Sequence, residues 1–229
     1  MIRSSAVGLA VLVSIVSVAP MHGQSPARYR DFQLGGSLAS VSTLTGSAAT
    51  DAKTLHSRPA VLQELQWRRP YRSSETREDP VERIAFSFYN DQLFRLVIDY
   101  DRGRTEGMTD ADMIDGISRM YGPAAKTPVK ASRAPLAALV LESGTRVAAW
   151  GDGEYSAVLY RSDFLSSGFR LIVTSVRLEA LAVASEAEAV RLDEQNAPQR
   201  ELARQKKEAD DEHAAKDKAR VSNKAAFRP

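Results

Sequence analysis

VERIAFSFYNDQLFRLVIDYD, residues 81–101, sets the plan of the whole chain. Its apolar residues alternate with polar ones at the strand period of two. Ile84, Phe86 and Phe88 share one face of the first half, and Phe94, Leu96, Ile98 and Tyr100 share one face of the second. Tyr89-Asn90-Asp91-Gln92 between them is turn-rich, so the stretch reads as a β-hairpin. Two registers compete. A two-residue turn at Asn90-Asp91 sets Phe86 against Arg95 and buries a charge. A three-residue loop of Asn90, Asp91 and Gln92 pairs Ile84 with Ile98, Phe86 with Leu96 and Phe88 with Phe94. That leaves one dry face and is the expected register, since a slip of one residue turns the whole set over. Asn and Asp tolerate the left-handed backbone such a loop needs.

Working back from the hairpin, residues 29–34 read as a short lead-in strand broken by Gly35-Gly36. Ser37 is an N-cap for a short helix striped by Leu38, Val41 and Leu44 and closed by Gly46. Residues 47–57 are small and polar, a loop or a frayed helical turn. Residues 60–67, with Val61, Leu62, Leu65 and Trp67 bracketed by Pro59 and Pro70, read as a strand. Working forward, Thr109 caps a second helix striped by Met113, Ile117 and Met120 and ended by Gly122-Pro123. Strands follow at 137–142, 145–150 and 155–160, joined by Ser143-Gly144 and by the Asp152-Gly153 turn. That reading pairs Val140 with Val147, Trp150 with Tyr155, and Val147 with Val158. Residues 168–176 make a last, well-covered strand.

The fold class is therefore α+β: two short helices on a mainly antiparallel sheet of about six to seven strands. Residues 1–23 read as a signal peptide, 29–176 as the core, 177–197 as a helix, and 198–229 as a charged, partly helical or disordered tail. The signal rests on Arg3, the apolar run 6–18 and small residues near Gly23; an uncleaved anchor is the alternative. Opposite charges recur four apart in the tail, as at Arg204 and Glu208, and Pro198 is expected to interrupt the helix.

Two segments share a plan, a hydroxyl cap, an apolar stripe and a closing glycine: Val41-x-x-Leu44-x-Gly46 and Ile117-x-x-Met120-x-Gly122. With Gly35-Gly36-Ser37 ahead of the first and Tyr121-Gly122-Pro123 closing the second, the chain resembles exported modules of the SmpA/OmlA and β-lactamase-inhibitor-protein type. The resemblance implies a tandem helix-plus-sheet repeat that binds other proteins and catalyses nothing. It carries over no functional residues, and the inhibitors' disulfides are excluded here because the chain has no cysteine.

The missing cysteine also removes thiol nucleophiles, cysteine metal sites and a lipobox. A net charge of +2 gives no electrostatic case for nucleic acid. His22, His56 and His213 are isolated, with no metal or acid–base spacing. Asp99, Asp101 and Asp110 faintly resemble a calcium loop, but Arg104 stands where glycine is needed. No nucleophile elbow or phosphate loop occurs. The candidate partner-binding residues are Trp67, Arg68, Arg69 and Tyr71, a basic aromatic patch, and the pair Trp150 and Tyr155. A solvated edge strand and a cross-strand packing pair are the structural alternatives. The expectation is an exported, periplasmic or secreted, non-catalytic binding or accessory protein. It has no cofactor and no membrane span after signal cleavage, and its partner is another envelope or secreted protein. An exported enzyme with scattered carboxylates and hydroxyls, and a structural envelope protein acting through its tail, are the alternatives.

Overall fold

A computed structural model describes residues 27–70, 79–125, 144–161, 168–226 and 228. The signal segment, Tyr71, the strand expected at 137–142 and its pairing of Val140 with Val147 lie outside the described residues. A miniature hairpin opens the described chain: β1 (Arg28–Tyr29) and β2 (Phe32–Gln33). Then come α1 (Leu38–Thr45), β3 (Lys53–His56), β4 (Leu62–Arg68), β5 (Val81–Tyr89), β6 (Gln92–Tyr100) and α2 (Asp110–Tyr121). The remainder is β7 (Thr145–Gly151), β8 (Tyr155–Arg161), β9 (Phe169–Ser175) and α3 (Val176–Ala226).

Strands β3 to β9 form one seven-stranded antiparallel sheet in the order β3-β4-β5-β6-β9-β8-β7. Each short helix is thus followed by a run of hairpin-connected strands, and the two runs meet edge to edge where β6 pairs with β9. The α+β expectation holds. The lead-in strand is instead the β1–β2 hairpin, separate from the sheet, and residues 53–56 are a strand rather than loop.

The central hairpin keeps the expected register at its base and departs from it at its tip. Ile84 faces Ile98 and Phe86 faces Leu96, but Phe88 faces Leu93 and Tyr89 faces Gln92. The turn is the two-residue Asn90-Asp91, both at positive φ, 46° and 62°. A bulge reconciles the tight turn with the dry register: Ser87 pairs with Arg95 and Phe88 with Leu93, leaving Phe94 unpaired. Leu93 then joins the core on the first face, while Phe94 is turned to the second.

The tip is also where the chain's segments are tied together. The Asn90 N–H donates to the Val61 carbonyl, and its side-chain oxygen accepts from the Val61 N–H. An Asp91 carboxylate oxygen accepts from the Leu38 N–H at 2.8 Å, satisfying one of the free donors that open α1. Leu93 exchanges backbone hydrogen bonds with Gly35 and Gly36. Gly35 has φ 87°, and a Cβ on Gly36 would lie 3.0 Å from the Gln33 carbonyl oxygen, so both glycines are needed for this close approach.

The first face carries the main core. Phe86, Phe88, Leu96, Ile98, Leu171 and Trp150 pack there against Val41 of α1 and Met113 and Ile117 of α2. Both helix caps are as expected: Ser37 accepts from the Ser40 N–H, and Thr109 forms a capping box with Asp112. The α1 stripe is narrower than its spacing suggested, because Leu44 is 52% exposed. In the last hairpin Trp150 faces Ala157 and Ala149 faces Val158, two residues away from the expected pairing of Trp150 with Tyr155. That even shift keeps Trp150 and Tyr155 on one face, but a bulge between Arg146 and Ala148 breaks the expected pairing of Val147 with Val158: Val147 packs on the main core and Val158 lies on the second face. Asp152 sets this longer loop, its carboxylate accepting from the N–H groups of Glu154 and Tyr155.

Candidate binding surfaces

Val176 follows β9 directly and starts α3, which is helical through Ala226. Residues 198–226 are therefore helical rather than disordered up to that point, and Pro198 lies inside the helix rather than ending it. Proline removes one backbone donor and crowds the preceding turn. The Arg200 guanidinium donates to the Asp193 carbonyl at 2.7 Å, in the turn ahead of the proline.

The helix has two halves with different environments. Leu178, Ala182 and Ala189 are buried, and Ser185, Leu192 and Asn196 are half-buried. These positions recur at alternating steps of four and three, so they form one stripe, and α3 packs on β5, β6 and β9. Alanine at the contact lets the helix lie close to the sheet, with Phe94, Leu62 and Leu178 around Ala182. From residue 197 to 226 every residue is exposed.

The docked half is fixed by a buried charge pair. Arg95, 2% exposed, donates to the Glu179 carboxylate, itself 7% exposed. Beside it, Asp99 is held by two guanidinia, from Arg83 at 2.8 Å and Arg170 at 2.6 Å. The buried charge that the two-residue turn threatened is thus real, but it sits on the second face, opposite a carboxylate supplied by α3.

The residues singled out in sequence are not gathered into one patch. Trp67 is half-buried against the main core, and Arg68 is exposed at the open end of β4, beyond the reach of β3. Arg69 turns inward: it pairs with Asp101 and donates to the Asp79 carbonyl. Trp150 is 1% exposed and donates its indole N–H to the Ser118 hydroxyl on α2 at 3.1 Å, so the indole is packing rather than surface. Tyr155 is half-buried and faces Ser175. His56 lies in β3 and His213 on the exposed half of α3. The aspartates of the suspected calcium loop are engaged by guanidinia, Asp99 as above and Asp101 by Arg69. Among the described residues no group of three or more His, Cys, Asp or Glu is placed to hold a metal ion.

Sequence reasoning passed over one concavity. A cavity of about 350 Å³ lies between α2 and the sheet. Its apolar lining is Tyr100 and Leu171 from the sheet side, Met113, Ile117 and Met120 from α2, and Tyr29, Pro80 and Met108, with Arg30, Thr105, Asp112 and Gly116 also lining it. Burial raises the Tyr100 and Tyr29 hydroxyls above the ordinary tyrosine range, so both stay protonated through neutral pH. Arg30 lies 5.5 Å over the Tyr29 ring and is clamped by Asp79 at 2.7 and 2.6 Å.

No family model, curated protein sequence or solved structure matches this chain.

Proposed function

We propose that this chain is an exported, non-catalytic accessory protein that engages another envelope or secreted protein through the exposed half of α3. The observation that carries the reading is the fully exposed helix over residues 197–226. At 1.5 Å per residue it reaches about 45 Å past the docked half. Such a helix has no core of its own to hold it. Ion pairs along its surface support it, among them Arg204 with Glu201 at 2.8 Å and Lys216 with Glu212 at 2.6 Å. Exposed pairs of this kind are individually weak. Its large aliphatics are Leu202 and Val221, 67% and 71% exposed. A polar, extended element of this kind serves recognition at a distance rather than packing. Export rests on the segment at residues 1–23, and the tandem-module resemblance points to the same class of protein.

The test is cross-linking in the native envelope with the intact chain and with a chain ending at Asn196. That truncation keeps the whole docked stripe. The expected result is one partner captured by the intact chain and lost by the shortened one. Equal capture by both would move recognition to the sheet and away from the arm.

A further inference from the structure

We infer that the cavity under α2 is a binding site for a small, uncharged, ring-bearing molecule. This stands apart from the arm and does not depend on it. The volume of about 350 Å³ is within the ordinary range for small-ligand sites, roughly 300–1,000 Å³. The lining supplies three thioethers, Met108, Met113 and Met120, and two tyrosine rings, Tyr29 and Tyr100. Methionines adapt their shape and make favourable sulfur contacts at ring edges, and tyrosine faces stack. This combination favours a flat apolar ring over a plain chain.

Charge at the rim selects against an anion. Arg30 is the only cation among the described lining residues, and Asp79 already clamps it with two hydrogen bonds. Asp112, also in the lining, adds a carboxylate. A ligand carboxylate or sulfonate would enter an apolar cavity with no unpaired cation to meet it, which is unfavourable.

Gly116 bears on the cavity independently. It sits in the interior of α2 and lines the cavity. Glycine there makes the helix less stable than alanine would. Its backbone is not among those at positive φ, and a Cβ would meet nothing within 4 Å. Neither conformation nor packing asks for glycine at this position. Gly116 is exposed, so a side chain there would stand where the cavity opens to solvent, and its absence leaves that opening free.

The experiment is a fluorescence titration of the intact chain with N-phenyl-naphthylamine, a neutral two-ring probe that brightens in apolar sites. The expected result is saturable binding of one probe per chain. Gly116→Leu, which fills the opening from α2, weakens it at least tenfold without lowering the thermal midpoint. Gly116→Ala raises the midpoint and retains binding. Anilinonaphthalene sulfonate, the anionic counterpart, binds at least tenfold more weakly than the neutral probe. The inference is overturned if the folded chain shows no saturable binding or if Gly116→Leu binds as the parent does. It is also overturned if the anion competes equally for the same Gly116-sensitive site.

Discussion

Arg95 shows how one residue links sequence, sheet and helix. It is buried because the Phe94 bulge places it on the second face opposite Ser87, and it is neutralised because Glu179 descends from α3. Among the described residues its Nε and Nη1 have no hydrogen-bond partner; Glu179 supplies the opposing charge, and the guanidinium lies 5.6 Å over the Phe94 ring. Removing one member of a buried pair leaves an uncompensated charge, whereas replacing both with apolar groups is often neutral or stabilising. Glu179→Ala is therefore expected to lose about 3–5 kcal/mol in urea unfolding, and Arg95→Met combined with Glu179→Leu to recover most of that loss. The carboxylates at the other face give a pH signature. Burial alone would raise Asp79, but hydrogen bonds from the Arg30 guanidinium and the Val81 N–H outweigh it and hold the carboxyl below its usual range. Asp101 is lowered against its own burial by Arg69 and the Arg104 N–H. A depressed carboxyl stabilises the fold above its unfolded pKa, and the stabilisation is lost as pH falls through the folded value. Stability should thus hold from neutrality to about pH 4 and fall below it. Asp79→Asn should be less stable at neutral pH and show a shallower acid decline; an unchanged slope in acid unfolding curves would remove Asp79 from this account. The left-handed backbone at Asn90 and Asp91 was legible, because few other side chains accept it, but the expected three-residue loop is in fact a two-residue turn. The fate of Arg95 was not legible, because its partner lies 84 positions away in sequence.

At the scale of elements, caps and periods read well and bulges did not. Ser37, Gly46 and Thr109 bound their helices as expected, since a cap is a local contract between a side chain and the backbone within a few residues. The bulge at Phe94 has no such local signal. It follows from competition between a tight turn, the dry register and the backbone bonds that Leu93 makes to Gly35 and Gly36. Helix α3 illustrates the same limit. Its large aliphatics Leu181 and Val190 face outward, 42% and 47% exposed, while the small residues Ala182, Ser185 and Ala189 form the middle of the docking stripe. Alanine is both the best helix former and a small apolar surface, so its spacing carries little contrast in sequence. The stripe sets a sharp boundary for truncation. A chain ending at Val176 loses Leu178, Glu179 and Ala182 together, uncovering Phe94 and stranding Arg95. It is expected to show no cooperative unfolding transition. A chain ending at Asn196 should keep its core stability within about 0.5 kcal/mol of the parent, measured by denaturant midpoint.

Over the whole molecule, the described chain is a seven-stranded sheet with a helix-covered face and a second face that receives the start of α3. Candidate recognition residues were legible as chemical types but not as positions. Trp150 drew attention as an aromatic beside a turn, yet its indole is spent on Ser118 and the core. The cavity under α2 left no linear trace, because Tyr29, Tyr100, Met108 and Met120 come from four separate segments. Residue order alone was enough for the α+β class, the central hairpin, both short helices with their caps, and the helical propensity of the C-terminal segment. All of these rest on periodicity and on contacts spanning a few residues. Three-dimensional packing settled the rest: that β6 joins β9, that Phe94 is turned to the second face, that Arg95 meets Glu179, and that α3 divides into a docked half and an exposed arm. Each of those depends on which distant surfaces compete for one buried place, and a linear pattern records the candidates for burial without recording the partners that win.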